Sequence, residues 1–425
     1  MISIEFVLAT MENKLLLLLC LTVLNVFLVI TVESLDNGLA IQPPMGWMAW
    51  ERFRCNINCT EDPDNCISEK LIVQMCDKMV AGGFRDAGYT YIALDDCWAE
   101  KRRDPLTGKL VPDRTRFPRG MKALADYVHR QGMKLGIYSD MGTKTCKEYP
   151  GSEFYIQTDA QTFADWGVDM LKLDCCYGGS GMEIGYETMG FFLNKTGRPV
   201  LYSCSYPVCL GGHVIYERVA KTCNMWRNAI DLTDSWDRVY KVIRIYGDNI
   251  GNFSAAAGPG HWNDADQLMV GDFGLSNGQQ TAQIVMWAMW SVPLFMSVDL
   301  RDIGVFAEEL LLNKDIISIN QDWAGSPSYR VWQDKRLPVT TDIIEGWIKH
   351  LSDGTTAIAI LNGSNYGKPA TVVKTPRQLG LLGNTSYIFH NVLTSEKSGP
   401  FNDTVPMKVR IPATSVYFVV ATELE

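Results

Sequence analysis

Histidine is scarce in this sequence, and its scarcity limits the chemistry that the chain can perform. Only five of the 425 residues are histidine, and they stand singly: His129, His213, His261, His350 and His390. Zinc sites need His or Cys ligands paired at short spacing, which single histidines do not provide. The sequence therefore predicts no metal site, and nothing in it indicates another cofactor.

An excess of positive charge is also lacking. The chain has 39 Lys and Arg against 48 Asp and Glu, giving a formal net charge of -9 and a pI near 5.2. Nucleic acids and anionic membranes are bound by clustered Lys and Arg, so neither is expected as a partner. No G-x-G-x-x-G motif follows the first predicted strand, which argues against a dinucleotide-binding sheet.

The N-terminus has the pattern of a targeting segment. Lys14 precedes an apolar run that extends to Thr31, and Val32–Ser34 offer the small residues that signal peptidase requires. We expect residues 1–34 to be a signal peptide, with Met11 as an alternative start. A membrane anchor is the other interpretation, but the run is slightly short for a span and no Lys or Arg cluster follows it.

Passage through the secretory pathway accounts for the cysteines. Of twelve, Cys20 lies in the signal peptide, so an odd eleven remain and at least one thiol has no partner within the chain. Cys55, Cys59 and Cys66 crowd one loop, as in a disulfide staple. Glycosylation is expected at the Asn-x-Ser/Thr sites Asn194, Asn252, Asn362, Asn384 and Asn402. A sixth site, Asn58, is doubtful because Cys59 lies inside it.

From residue 44 to residue 322, short apolar segments alternate with amphipathic segments whose apolar residues recur every three or four positions. Eight strands alternating with helices over this length predict an α/β fold, a (β/α)₈ TIM barrel at 35–325, with a doubly wound sheet as the alternative. The predicted strands are Met45–Trp50, Tyr89–Asp95, Lys134–Ser139, Asp169–Asp174, Pro199–Ser203, Thr222–Trp226, Ala255–Gly258 and Pro293–Val298.

After residue 325 the pattern changes to alternating apolar and polar positions separated by Gly, Asn, Asp and Pro turns. This pattern predicts a C-terminal antiparallel β-sandwich at 326–425. Its predicted strands are Tyr329–Gln333, Ile343–Lys349, Thr356–Leu361, Ala370–Val373, Ser386–His390, Met407–Ile411 and Ser415–Val420.

Polar residues follow several predicted barrel strands, where the active site of such a barrel lies. They are Asp95, Asp96, Tyr138, Asp140, Lys172, Asp174, Arg227, Asp231, Asp264 and Asp266. A single Asp after a strand is usually a helix N-cap, but caps do not need cations and tryptophans beside them. Trp47, Trp50 and Trp98 lie near strand ends, so the set suits a sugar pocket in which two carboxylates cleave a glycosidic bond.

Residues 274–278 have the G-x-S-x-G form of a serine hydrolase elbow. The segment before them is a poor strand, and a helix follows. Ser276 or Asn277 as a helix N-cap explains the motif without catalysis.

The chain resembles the animal lysosomal α-galactosidase and α-N-acetylgalactosaminidase family of clan-D barrel glycosidases. The motifs that carry the resemblance are Leu35–Ala40, Met45–Trp47, Leu94–Trp98, Asp165–Asp169, Lys172–Asp174, Trp226–Asn228 and Trp262–Asp264. The resemblance implies a retaining mechanism with Asp174 as nucleophile and Asp231 as acid/base, their carboxyls about 5–5.5 Å apart. Asp231 must then be protonated when it reaches the leaving oxygen. We expect Arg227 to bind a sugar hydroxyl rather than to hold Asp231 in its charged form.

The resemblance also assigns the pocket. The substrate-binding residues that it implies are Trp50, Asp95, Asp96, Tyr138, Lys172 and Arg227, with Asp95 and Asp96 on the 4- and 6-hydroxyls. Ser205 and Val208 occupy the loop that reads the 2-position, where galactosidases carry Glu and Leu and N-acetylgalactosaminidases carry Ser and Ala. Departures from the family pattern are Cys175, Tyr206, Cys209 and Gln267.

Four disulfides carry over by the same resemblance: Cys55–Cys97, Cys59–Cys66, Cys146–Cys176 and Cys204–Cys223. Cys76, Cys175 and Cys209 remain unassigned, and Cys175 is a competitor for the partner of Cys176.

The function expected from the resemblance is hydrolysis of terminal α-linked N-acetylgalactosamine, and of α-galactose as a further substrate, from glycolipids, glycoproteins and oligosaccharides. The alternatives are an α-galactosidase with the same mechanism and a catalytically silent sugar-binding protein. The family further implies a homodimer that reaches the lysosome through the secretory pathway, or is secreted, without a stable membrane anchor.

Overall fold

The computed structural model describes residues 37–211, 214–322, 328–335, 343–383 and 385–424. The predicted signal peptide, the domain boundary near residue 325 and the sequon at Asn384 lie outside these ranges. Within them, no helix combines the length and apolar character that a membrane span requires.

Eight short parallel strands form the first sheet, each paired with its neighbour in the sequence. They are β1 (Met45–Met48), β2 (Tyr91–Ala93), β3 (Lys134–Asp140), β4 (Met170–Asp174), β5 (Leu201–Cys204), β6 (Met225–Arg227), β7 (Trp262–Asp264) and β8 (Leu294–Met296). β1 pairs with both β2 and β8, and a parallel bridge between Leu268 and Met296 joins the remaining edges. The sheet therefore closes into a barrel, which confirms the predicted (β/α)₈ fold.

Helices follow the strands and cover the outside of the barrel. They are α1 (Trp50–Phe53), α2 (Glu69–Ala81), α3 (Gly120–Arg130), α4 (Ile156–Trp166), α5 (Met182–Lys195), α6 (Tyr206–Leu210), α7 (Tyr216–Thr222), α8 (Trp236–Ala256), α9 (Asn277–Trp290), α10 (Val305–Leu311) and α11 (Lys314–Asn320). Ser276 caps α9, since its side chain accepts from the Gln279 amide while the Gln279 side chain binds back. The G-x-S-x-G segment is thus a helix start, as the N-cap interpretation predicts.

The predicted seventh strand, Ala255–Gly258, is wrong. Ala255 and Ala256 form the last turn of α8, and the true strand begins at Trp262. Small apolar residues suit a helix end as well as a strand, and the real strand has only three residues, so periodicity could not separate them.

The C-terminal part is antiparallel, as predicted. Its strands are β9 (Tyr329–Lys335), β10 (Ile343–His350), β11 (Thr356–Asn362), β12 (Ala370–Lys374), β13 (Ser386–Asn391), β14 (Lys397–Phe401), β15 (Met407–Ile411) and β16 (Ser415–Leu424). Six strands form one sheet in the order β14-β13-β16-β11-β10-β9, and β12 pairs with β15 in a second. A separate apolar cluster, including Ile358, Phe389 and Ile411, fills this β-sandwich.

Helix α9 joins the barrel to the β-sandwich. Every residue from Gln280 to Trp290 is buried, which is the mark of a helix with protein on all sides. The Trp290 ring packs edge-on against Trp347 of β10 at 5.7 Å between centroids. Lys349 of the same strand is also buried, and its Nζ donates to Ser291 Oγ at 2.6 Å.

Five disulfides stabilise the barrel loops: Cys55–Cys97, Cys59–Cys66, Cys146–Cys176, Cys175–Cys209 and Cys204–Cys223. Cys175 therefore bonds to Cys209 and does not compete for Cys176. Among the cysteines that the structure describes, Cys76 is the free thiol, and burial raises its pKa to about 12, so it stays protonated.

The predicted glycosylation site at Asn362 is wrong. This side chain is fully buried, and its Nδ2 donates to the carbonyl oxygens of Ile411 and Pro412. A glycan needs that nitrogen exposed. Asn194 and Asn252 are exposed, and Asn402 is partly exposed.

Candidate active site

Asp174 ends β4 at the carboxyl end of the barrel, and both of its oxygens are held. Tyr138 of β3 donates its hydroxyl to Oδ2 at 3.0 Å, and the Cys175 amide donates to Oδ1 at 3.1 Å. The side chain remains partly exposed toward the barrel mouth. The two donors orient a carboxylate whose outer face is open to a ligand.

A buried ion pair lies beside Asp174. Lys172 Nζ contacts Asp95 Oδ2 at 2.7 Å, and both side chains are almost wholly shielded from water. Burial alone would lower the pKa of Lys172, but the charges of Asp95 and Asp174 raise it above its usual value. The ammonium group is therefore a permanent positive charge next to Asp174.

Asp96 forms the wall next to this pair. Its carboxylate accepts from the amides of Cys97 at 2.6 Å and Lys147 at 2.9 Å. Burial raises its pKa despite these bonds. The Lys147 ammonium also lies 5.6 Å from the centre of the partly exposed Trp50 ring, so the same loop reaches both predicted pocket residues.

Asp140 stabilises the loops around Asp174 and does not face the mouth of the barrel. It is fully buried, and its carboxylate accepts from the amides of Gly142 at 2.8 Å and Cys176 at 2.9 Å. Burial raises its pKa to about 8. Ligand atoms of Asp140, Cys146, Asp174 and Cys176 lie within 4.8 Å of one another, but the two cysteines share a disulfide and cannot supply thiolates to a metal.

Arg227 ends β6 and connects two carboxylates. Its Nη2 lies 2.9 Å from Asp231 Oδ1 and 3.0 Å from Asp266 Oδ2. Asp231 itself is open at the mouth, with 82% of its side chain exposed. Two opposing effects act on the pKa of Asp231. Desolvation by the surrounding protein is the largest and would raise this pKa, but the charges of Arg227 and Lys172 together hold it below its usual value. Arg227 therefore pairs with Asp231 in this structure, and its expected bond to a sugar hydroxyl stays a prediction.

Asp264 and Asp266 do not share one extended face. β7 ends at Asp264, and Asp266 has a φ of 76°. Its Oδ2 accepts from the Leu232 amide at 2.8 Å as well as pairing with Arg227, so Asp266 holds the segment that carries Asp231. Burial raises the pKa of Asp264 to about 6.

Ser205 and Val208 lie at the start of a short helix beside β4. Ser205 precedes α6, is buried, and donates its amide to the Leu173 carbonyl at 3.0 Å. Val208 is 40% exposed. The Tyr206 ring between them stacks on Tyr186 of α5 at 5.1 Å.

Two of the three tryptophans expected to form sugar platforms are core residues. Trp47 is buried and donates to the Val298 carbonyl, and Trp98 is buried and donates to the Tyr138 carbonyl. Only Trp50 has the exposure that a platform needs. The sequence analysis did not single out Glu51, although it directly follows Trp50. Its buried carboxyl pairs with Arg54, and burial raises the pKa of Glu51 to about 8.

A family model described as alpha galactosidase A matches residues 42–322, and one described as the alpha galactosidase C-terminal beta sandwich domain matches residues 341–420. The chain belongs to the alpha-galactosidase A family of glycoside hydrolases. Its relatives in this family include the alpha-N-acetylgalactosaminidases of Gallus gallus and Homo sapiens. The first is 49% identical over 77% of this chain and 80% of the relative, and the second is 44% identical over 93% and 95%.

Alpha-galactosidases are also similar to this chain. Human alpha-galactosidase A is 46% identical over 82% of this chain and 80% of its own length. Among solved structures, alpha-galactosidase I of Mortierella vinacea is 30% identical with a TM-score of 0.80, covering 91% of this chain and 98% of that one. The alpha-galactosidase of Saccharomyces cerevisiae has a TM-score of 0.82 at 26% identity, covering 92% and 99%.

Proposed function

We propose that this chain is a retaining exo-glycosidase that removes terminal α-linked N-acetylgalactosamine, and α-linked galactose as a slower substrate, from glycolipids, glycoproteins and oligosaccharides. The observation that carries the choice of sugar is Ser205, a small buried residue whose amide is bonded to the strand that ends in Asp174. A Glu at this position would fill the space that a 2-acetamido group needs. The named alpha-N-acetylgalactosaminidase relatives support the same choice.

In the first step, Asp174 attacks the anomeric carbon and the bond to the leaving oxygen breaks. Asp231 delivers its proton to that oxygen, so the aglycone leaves as an alcohol and the sugar is held as an ester of Asp174. The Tyr138 hydroxyl and the Cys175 amide, both bonded to Asp174, direct its carboxylate toward the sugar. Lys172 places a positive charge beside the attacking carboxylate.

In the second step, Asp231 takes a proton from water as the water attacks the anomeric carbon. The ester bond to Asp174 breaks, the sugar leaves with its original configuration, and Asp231 is protonated for the next cycle. Because Arg227 stabilises the Asp231 carboxylate in the unliganded protein, an acidic medium favours the protonated form that the first step requires.

The galactose ring is proposed to bind against Trp50, with its 4- and 6-hydroxyls on Asp95 and Asp96. Asp95 is held by Lys172, and Asp96 by two backbone amides, so each carboxylate is oriented before substrate arrives. Such prior orientation avoids reorganisation during the reaction. A glucose 4-hydroxyl points the other way and would not reach these carboxylates.

The proposed setting is the lysosome, reached through the secretory pathway, with the protein as a homodimer. The acidic composition, the sequence features of a signal peptide and the exposed sequons at Asn194 and Asn252 support this route and compartment, and the homodimer rests on the family resemblance alone. The predicted glycan at Asn402 belongs to the same proposal.

The test is kcat/KM at acid pH on the 4-nitrophenyl α-N-acetylgalactosaminide and the matched α-galactoside. We expect turnover of both with a clear preference for the acetamido sugar. A preference for the plain galactoside would favour the second candidate, an α-galactosidase, for which the larger side chain of Val208 is the supporting observation.

Asp174→Asn separates an enzyme from a silent sugar-binding protein. We expect this variant to lose turnover by at least about 10³-fold while the free sugar still raises its melting temperature. If the unaltered protein binds the sugar and turns over neither substrate, the glycosidase proposal is wrong.

A further inference from the structure

The disulfide between Cys175 and Cys209 links two loops that meet beside Asp174. Cys175 follows Asp174 directly, Cys209 lies in α6, and their Cα atoms are 6.2 Å apart. Both cysteines stand at positions where this chain departs from the family pattern. The bond is therefore a feature of this chain that its resemblance does not supply.

Each end of the bond is attached to a residue of the proposed site. The Cys175 amide donates to Asp174 Oδ1 at 3.1 Å, and the Cys209 amide donates to the Ser205 carbonyl at 3.1 Å. The Tyr186 hydroxyl also contacts Cys209 Sγ at 3.8 Å and donates to the Asp174 carbonyl at 2.9 Å. The disulfide thus spans from the carboxylate that attacks the sugar to the helix that begins at Ser205.

Helix α6 has little intrinsic stability. It contains five residues with no side-chain N-cap, far below the length at which an isolated helix is stable in water. Val208 is exposed and Leu210 is only partly covered, so apolar burial by the helix comes from Tyr206, which stacks on Tyr186, and from Pro207. A covalent bond at Cys209 restrains an element that packing alone holds weakly.

We propose that the Cys175–Cys209 disulfide is a positioning element for sugar specificity. The bond sets the distance between residues 205–208 and the Asp174 carboxylate. It thereby sets the width of the space that receives the substituent at the sugar 2-position. This inference rests on the proposed function. Because only the acetamido sugar fills that space, loss of the bond affects its binding more than that of plain galactose.

The experiment compares Cys175→Ala/Cys209→Ala with the unaltered protein on the two 4-nitrophenyl glycosides. We expect the ratio of kcat/KM for N-acetylgalactosaminide over galactoside to fall at least about fivefold, mainly through KM of the acetamido substrate. The matched control is Cys59→Ala/Cys66→Ala, which removes a disulfide outside the site and should lower the melting temperature while leaving the ratio within twofold. Cys175→Ser/Cys209→Ser is the second variant if the alanine pair folds poorly.

Hydrogen exchange supplies a readout that needs no turnover. The amides of residues 205 and 209 are bonded to the Leu173 and Ser205 carbonyls, and we expect their exchange to accelerate about tenfold or more in the double variant and not in the control. An unchanged substrate ratio, unchanged exchange, or a different partner for Cys175 in non-reduced peptide maps would overturn the proposal. If the unaltered protein turns over neither substrate, the proposed function fails, and the exchange data alone decide whether the disulfide restrains α6.

Discussion

Replacing Lys172 by Met should destabilise the protein and also abolish its activity. The change removes the cation from a 2.7 Å pair with Asp95 and leaves that carboxylate buried with the Asp96 amide as its remaining bond. Removing one partner of a buried ion pair typically costs about 3–5 kcal/mol, because the other charge is left without compensation. Asp95→Asn should be milder, because Asp174 and Asp266 still compensate the charge of Lys172.

The size of the effect can be converted to a melting temperature. A folded unit of about 390 residues has an unfolding entropy of about 0.8 kcal/mol/K, from about 2.1 cal/mol/K per residue. A loss of about 3–5 kcal/mol therefore lowers the melting temperature by about 4–6 °C. Differential scanning calorimetry of Lys172→Met at one fixed pH measures this directly.

The double variant Lys172→Met/Asp95→Asn tests the cause. If Lys172→Met loses stability because the Asp95 charge is left buried and unpaired, neutralising Asp95 should recover at least half of the lost free energy of unfolding. The coupling energy between the two changes should then be about 2 kcal/mol or more. Activity should not recover in the double variant, because both groups line the proposed pocket. A single-variant loss below about 1 °C, or strictly additive losses, would refute the view that the pair is buried and mutually compensated.

Three further predictions concern specificity and pH. Ser205→Glu should shift the kcat/KM ratio toward the plain galactoside by at least about tenfold, measured on the two 4-nitrophenyl glycosides; an unchanged ratio would mean that residue 205 does not face the 2-position. Arg227→Gln removes the charge that lowers the pKa of Asp231, so the basic limb of the kcat/KM profile should move to higher pH, and a limb that stays in place would exclude Asp231 as the titrating acid. Burial lowers the pKa of Lys349 from 10.5 to about 7. The unfolded chain therefore binds more protons between those values, and the free energy of unfolding should rise with pH there, by up to about 5 kcal/mol. Lys349→Met should flatten that rise in urea unfolding, and an identical slope in both proteins would contradict it.

Most of the barrel and sandwich could be predicted because their segments are strongly patterned. Strand β11 was expected at Thr356–Leu361 and lies at Thr356–Asn362. Strand β14 was missed, because Lys397–Phe401 is exposed over nearly its whole length and has no buried face to impose alternation. The prediction of the seventh barrel strand was wrong for the opposite reason. The apolar residues at the end of the long helix α8 have a stronger strand-like pattern than the three-residue strand β7.

Within the candidate site, the strand positions of the polar residues could be predicted, whereas their pairing could not. The motifs place Asp174 and Lys172 on one strand, and the structure puts Lys172 on Asp95. No sequence pattern indicates that Arg227 contacts both Asp231 and Asp266, because the second contact accompanies a positive φ at Asp266 that the sequence does not reveal. Likewise, cysteine spacing does not determine connectivity, so the Cys175–Cys209 bond could be found only in three dimensions.

The burial of α9 from Gln280 to Trp290 has a consequence for how such proteins can be cut and recombined. A barrel truncated at Asp322 would present to water the helix face that β10, β11 and β16 now cover, including Trp290 and the carbonyl groups that Lys349 binds. A contiguous apolar surface of that kind promotes aggregation. The two folds are thus not interchangeable modules: a barrel of this kind can change its C-terminal partner only if helix α9 is redesigned at the same time.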